Sequence, residues 1–330
     1  MKKVLIETAQ FEEHEGQIAE KPWFSHTDTF NEDGQLIEQV NRNPDGSEWR
    51  TVNKYSDSGN LLTTSTFDAT GTLNGEVRYV YDADQRLVAE QHVTSDGKVS
   101  TPTTYTYDDD TGGKLKIQEL DLPVQADVMI MIEGTNMSIR ASEATRVESR
   151  YDDRGNVVEV KISNIDGALV SRVEITRDER GNALEETQSV GDVFPFGPCA
   201  SDSCSTEEMA ALTEEQKAEF EAEIARLFSP GSAMSKHTHR YDTEGRLIES
   251  KLTMMGMEAS RQTFAYDEFG NRSEEVSYYE NGTAGKAVFT REYDEYGNWT
   301  SELVSTASNW DAEFGVSTPT HVTRRLITYW

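Results

Sequence analysis

Cysteine is almost absent from this chain. Among 330 residues only Cys199 and Cys204 occur, close together in CASDSC. Two thiols cannot build a framework of several bridges, so at most one short local disulfide is available. Long apolar runs are missing as well. No segment approaches the roughly 18 apolar residues that a membrane-crossing helix needs. The opening MKKVLIETAQ places only Val4, Leu5 and Ile6 before Glu7, too little for the apolar centre of a secretory signal. That leaves the compartment open. Basic residues are scarce: 31 against 60 acidic ones give a formal charge of −29. Such a surface repels phosphate backbones and anionic membranes, which argues against nucleic acid as a partner. The acids are spread along the chain without forming a tail. No nucleophile elbow, phosphate-binding loop or His-Glu-x-x-His occurs, and no cofactor motif is present. With 60 acids, no carboxylate pair can be singled out for glycoside hydrolysis.

Apolar content is low, at 35%, yet the chain holds 13 Tyr, 12 Phe and 5 Trp. Disordered chains are poor in aromatics, so a thin sheet with one face in water fits this composition better. A heptapeptide then recurs: YSDSGNL at Tyr55, YDDRGNV at Tyr151, YDTEGRL at Tyr241, YDEFGNR at Tyr266 and YDEYGNW at Tyr293. Taking its first residue as an anchor, related positions are Phe30, Tyr81, Tyr107 and Arg177. The spacings are 25, 26, 26, 44, 26, 64, 25 and 27, a unit of about 26 residues with two insertions. A second turn signal, Asp-Gly or Asn-Gly, falls 15 and 16 residues after the anchor at Asp45, Asp96, Asp166 and Asn281. Each unit thus predicts two strands of ordinary length, and the chain about 16 to 18 in all.

In Asp-x-x-Gly, the aspartate suits the first position of a type I turn and the glycine supplies the left-handed residue of a bulged hairpin. The motif is explained by structure alone. Tyr79, Tyr105, Ile175 and Phe264, two residues before their anchors, share the anchor's face, which predicts a ladder of rings on an apolar side. Two insertions interrupt the pattern. Residues 118–146 contain the most apolar run, Val128 to Ile132, read as a buried strand. Residues 191–234 hold a Pro/Gly-rich loop with both cysteines. There Ser205-x-x-Glu208 and Thr213-x-x-Gln216 open a helical pattern that stops at Pro230-Gly231.

The recurring motif resembles the YD-repeat (Rhs-repeat) family over residues 24–330, the insertions apart. The resemblance implies an all-β fold: a long antiparallel β-hairpin repeat sheet, twisted and curled, here with one helical insertion and a cap over residues 1–23. It brings no active site. It implies a non-enzymatic binding or scaffold protein of the bacterial surface or secreted fraction, with a carbohydrate or protein partner. A carrier or immunity-like part of a toxin system is the alternative, and a glycoside hydrolase a remote one. The one metal candidate is His237 with His239 in KHTHRYD, because alternate strand residues share a face and two imidazoles can hold zinc or copper. No third ligand follows from the sequence, and His239 also sits where other units have an aromatic of the ladder. The three acids of YDDDTGG at Tyr107 splay on a turn and suit calcium poorly.

Overall fold

The computed structural model describes residues 2–14, 17–108, 115–121, 127–135, 137–142, 144–192, 229–280, 282–309, 314 and 317–328. The two cysteines, the helical pattern of the second insertion, and Asp109 and Asp110 lie outside them.

Among the described residues every regular element is a β-strand, and the strand pairs are antiparallel. The first seven strands are β1 (Lys2–His14), β2 (Gln17–Phe30), β3 (Leu36–Arg42), β4 (Glu48–Tyr55), β5 (Leu61–Phe67), β6 (Leu73–Tyr81) and β7 (Leu87–Thr94). Then come β8 (Val99–Asp108), β9 (Leu115–Leu120), β10 (Asp127–Met131), β11 (Ser138–Ser142), β12 (Ala144–Tyr151), β13 (Val157–Asn164), β14 (Leu169–Arg177) and β15 (Ala183–Val190). After the second insertion follow β16 (Ala233–Tyr241), β17 (Leu247–Met254), β18 (Met257–Tyr266), β19 (Arg272–Tyr279), β20 (Ala284–Tyr293), β21 (Trp299–Asn309) and β22 (Thr318–Thr328). The count exceeds the 16 to 18 expected. Residues ahead of the first anchor contribute β1, the first insertion contributes its own hairpin, β10–β11, and the segment after the last repeat contributes β22.

Two compact units are formed, Met1–Pro102 with Gln262–Trp330, and Thr103–Arg261. In the first, pairing runs from β19 through β20, β21 and β22 to β1, then on through β2 to β7. Within residues 1–23, Lys2–His14 is β1 and 17–23 is the first part of β2. β1 is bonded on both sides, by β2 and by β22, so neither chain end leaves an open strand edge between them. In the second unit the order is β8, β9, β12, β13, β14, β15, β16, β17, with β10–β11 as a separate two-stranded sheet.

The repeat motif builds one local device. In the Tyr241 repeat, the Gly245 N–H donates to the Asp242 carbonyl at 3.1 Å and the Asp242 N–H to the Arg246 carbonyl at 3.0 Å. Oδ1 of Asp242 accepts the N–H groups of Glu244 and Arg246, both at 2.9 Å. Gly245 has φ +84°, the left-handed region where a side chain is strained. The same carboxylate-to-backbone pattern recurs at Asp82, Asp152, Asp178, Asp267 and Asp294. The N–H groups of Arg86, Asn156 and Arg246 contribute most to holding the Asp82, Asp152 and Asp242 carboxyls below their usual range. Register shifts at the anchors Tyr55, Tyr81, Tyr151, Arg177, Tyr241 and Tyr293.

The anchors are half-buried, and several of them carry a hydrogen bond to the preceding repeat. The hydroxyls of Tyr55, Tyr81 and Tyr241 donate to the carbonyls of Leu36, Leu61 and Ala183 at 3.0, 2.9 and 2.9 Å. Arg177, the one non-aromatic anchor, does the same with Nε on the Val157 carbonyl at 3.1 Å. Every acceptor lies six residues after the preceding anchor. Tyr241 thus spans the whole second insertion to reach Ala183, and β15 pairs β16 across it.

The apolar core sits in the second unit. Ile130, Ile132, Met137 and Ile139, from the β10–β11 hairpin and its turn, are nearly inaccessible to solvent. They pack on Val147, Val157, Val160, Ile162, Val170, Val173, Ile175 and Ala183 of β12–β15. The apolar run of the first insertion is thus a hairpin laid over one face of the sheet. Each of its isoleucines contributes roughly 1.5–3 kcal/mol by burial.

Candidate metal centre

Cross-strand partners share a face of a sheet. In the second unit Ile175 of β14 stands opposite Glu186 of β15, Glu186 opposite His237 of β16, and His237 opposite Leu252 of β17. His239 lies two residues along β16 and points the same way. This face also carries Val173 and Ile175, the face the hairpin covers. A carboxylate and two imidazoles are therefore set into an apolar surface.

One ligand atom of each group lies within 4.8 Å of the others. Nε2 of His239 is 3.5 Å from Oε1 of Glu186, with side-chain exposures of 4% and 2%. The rings of His237 and His239 have centroids 6.2 Å apart and are tilted by 33°. Burial pushes the His237 imidazole below its ordinary range, opposed by the Glu186 charge and reinforced by His239. A neutral imidazole is the form that can ligate a metal.

The site is under-satisfied. Oε2 of Glu186 and Nδ1 of His239 are buried without a hydrogen-bond partner. Leaving such atoms unpaired costs roughly 1–3 kcal/mol each. Another buried carboxylate, Glu159, is treated quite differently by the same sheet. Arg172, Arg150 and Lys161 surround it at 2.7, 3.6 and 3.7 Å. Among the described residues, His239 is the only basic group within 4 Å of Glu186.

A cavity of about 300 Å³ opens beside Glu186 and His239. Its walls are Gly134 and Thr135 from the hairpin turn, Arg177, Gly181 and Asn182 from the β14–β15 turn, and Tyr241. Arg177 is braced by the carbonyls of Val157, Gly181 and Gly134. Glu186 is the only carboxylate among the described residues lining this cavity.

The structure thus brings His237 and His239 to one face, as strand alternation requires, and adds a third group that the sequence reading did not name. A signal for Glu186 was present. Nine residues after the anchor, the preceding repeat has Val160, where this one has Glu186. Four and two residues before its anchor, the Arg177 repeat that holds Glu186 has Val173 and Ile175, where the next repeat, at Tyr241, has His237 and His239. Three inward-facing positions turn polar together.

No protein-family model matches the chain, and no curated protein does. Among solved structures it is similar to a porin-like protein from Bacteroides uniformis, at 9% identity and a TM-score of 0.36, covering 98% of this chain and 96% of that one. It is also similar to the Tc holotoxin pore of Photorhabdus luminescens, at 14% identity and a TM-score of 0.30, covering 93% of this chain but 17% of that one. A TcdB2–TccC3 structure without its hypervariable C-terminal region gives 14% identity and a TM-score of 0.29, with 95% and 16% covered. The chain spans about a sixth of the length of those toxin chains. Scores this low leave the functional reading to the residues themselves.

Proposed function

We propose that this chain is a metal-binding β-repeat scaffold of the YD-repeat kind, a binding protein rather than an enzyme. One transition-metal ion of the zinc class is held by Glu186, His237 and His239. The observation that carries the reading is the buried Glu186 carboxylate, which lacks the basic neighbours that Glu159 has and faces two imidazoles instead. Two imidazole nitrogens and one carboxylate oxygen suit zinc, copper or nickel, whereas calcium and magnesium prefer all-oxygen sets. A dication would neutralise the carboxylate and occupy the unsatisfied oxygen. Three protein ligands would leave a position open, and a cavity borders two of them, Glu186 and His239. Arg177 and Asn182 line the same cavity and would face water or a small oxygen ligand bound there. The absence of a second carboxylate from the described lining favours binding over hydrolysis. Kinship with YD-repeat proteins is supported by the recurring Asp-x-x-Gly turn and the anchor hydrogen bonds in phase with it.

Calorimetry of the metal-stripped protein with zinc chloride, backed by elemental analysis, tests this. One zinc per chain is expected, and stoichiometric binding should disappear in the His237→Ala and His239→Ala variants. Failure of the wild type to retain zinc through gel filtration would refute the reading.

A further inference from the structure

A second site lies in the other unit and rests on different residues. β1 and β2 slip register between Thr8 and Ala9: Thr8 faces Phe24, Ala9 faces Pro22, and Trp23 is left as the extra residue of a bulge. Pro22 has no N–H for the ladder, and bulges re-aim the side chain at the irregularity. Trp23 stands 53% exposed and lines a cleft of about 420 Å³, within the usual range of ligand sites. The cleft floor is a single cross-strand row, Arg324, Glu7, Ser25 and Arg42, on β22, β1, β2 and β3. Arg324 grips Glu20 through two parallel bonds of 2.9 and 2.8 Å, and Arg42 is held by the Glu48 carboxylate, which fixes both guanidinium groups.

We propose that this cleft binds a neutral pyranose oligosaccharide, with the Trp23 indole stacked on a sugar ring and the Arg42, Ser25 and Glu7 side chains bonding its hydroxyls. Three observations select that occupant. A large aromatic left in water by a deliberate backbone irregularity offers a flat apolar face, and the C–H face of a pyranose is its natural complement. The floor alternates donors and acceptors of both signs, which suits many hydroxyls and no net charge. The acidic surface of the chain, at −29, disfavours uronates and sulfated glycans. A protein partner would require a broad desolvated patch of roughly 800 Å² per side, whereas the apolar lining of this cleft is limited to Ala9, Pro22, Trp23, Phe24 and Pro44.

Titration calorimetry of the full chain with cellohexaose, mannohexaose, maltohexaose and chitohexaose tests the proposal. At least one should bind one per chain with Kd about 1 mM or tighter. Trp23→Ala should weaken it at least tenfold with an unchanged melting temperature, since the side chain is exposed. Trp23→Phe should retain most of the affinity, and Arg42→Ala should lose part of it. Glu186→Gln should bind as the wild type does, which separates this site from the metal centre. Failure of all four sugars would overturn the proposal, and so would equal binding by Trp23→Ala or occupation of the cleft by a peptide instead.

Discussion

Replacing Glu186 by glutamine changes one charge without changing shape, so it separates a metal ligand from a packing residue. Zinc that binds only the folded chain stabilises it by about 2.7 kcal/mol when free zinc is a hundred times Kd. Unfolding entropy runs near 2.1 cal/mol/K per residue, so for a chain of this length the gain is worth roughly 4 °C if the whole chain melts together. Half that many residues, as in the Thr103–Arg261 unit, would double the shift. Differential scanning calorimetry with and without zinc reads this directly. The wild type should gain several degrees. Glu186→Gln should lose most of the gain, because a neutral amide is a poor ligand. The zinc-free melting points of the two proteins separate the alternatives further. If Glu186 serves only as the partner of a charged His239, the variant should melt lower without zinc by an amount matching roughly 3–5 kcal/mol, the cost of breaking a buried ion pair. If the carboxylate is held in wait for a cation, removing its buried charge should leave the zinc-free protein as stable or more so. An equal zinc shift in the two proteins would refute the ligand assignment.

Gly245→Val should destabilise by about 2 kcal/mol in urea unfolding, because a β-branched residue resists φ +84°; an unchanged midpoint would contradict the turn. Gly191→Ala should cost more, about 3 kcal/mol, since a Cβ there would sit 2.1 Å from the Leu169 carbonyl oxygen. The depressed carboxyls of Asp82, Asp152 and Asp242 contribute stability that is complete above their unfolded range and lost as pH falls through their folded values. Melting temperature should therefore drop below pH about 4. Changing all three to Asn should flatten that drop, because Asn31 and Asn164 already make the same turn without titrating. Ile139→Ala in the covering hairpin should cost about 2–5 kcal/mol and weaken zinc binding, as its loss loosens the cover over the His237 face; full zinc affinity in a destabilised variant would separate the hairpin from the site.

The repeat was legible because it is local. Tyr241, Asp242 and Gly245 form a turn whose bonds close within five residues, so spacing and residue type suffice to predict it. Strand alternation likewise put His237 and His239 on one face from sequence alone. The expected ring ladder was only partly informative. It named the anchors, but what ties several of them into the structure is a hydroxyl bond: Tyr55, Tyr81 and Tyr241 reach the carbonyls of Leu36, Leu61 and Ala183, each just past the register slip at the preceding anchor, and Tyr151 and Tyr293 reach the carboxylates of Glu133 and Asp267.

The rest depended on pairing between distant segments. Glu186 lies 51 residues before His237, beyond the second insertion, and only the β15–β16 register sets them opposite each other. The apolar run at Val128 to Ile132 announced burial but not its partner, which is the face that carries the metal candidates. Trp23 read as part of a terminal cap, and its exposure follows from a bulge that exists only because β1 pairs β2 around Pro22. Sequence by itself determined the turns, the strand period and which residues share a face, since these are set within a few bonds of the backbone. Tertiary structure decided which faces meet, and so which polar groups are buried together, because that depends on register between strands far apart in the chain.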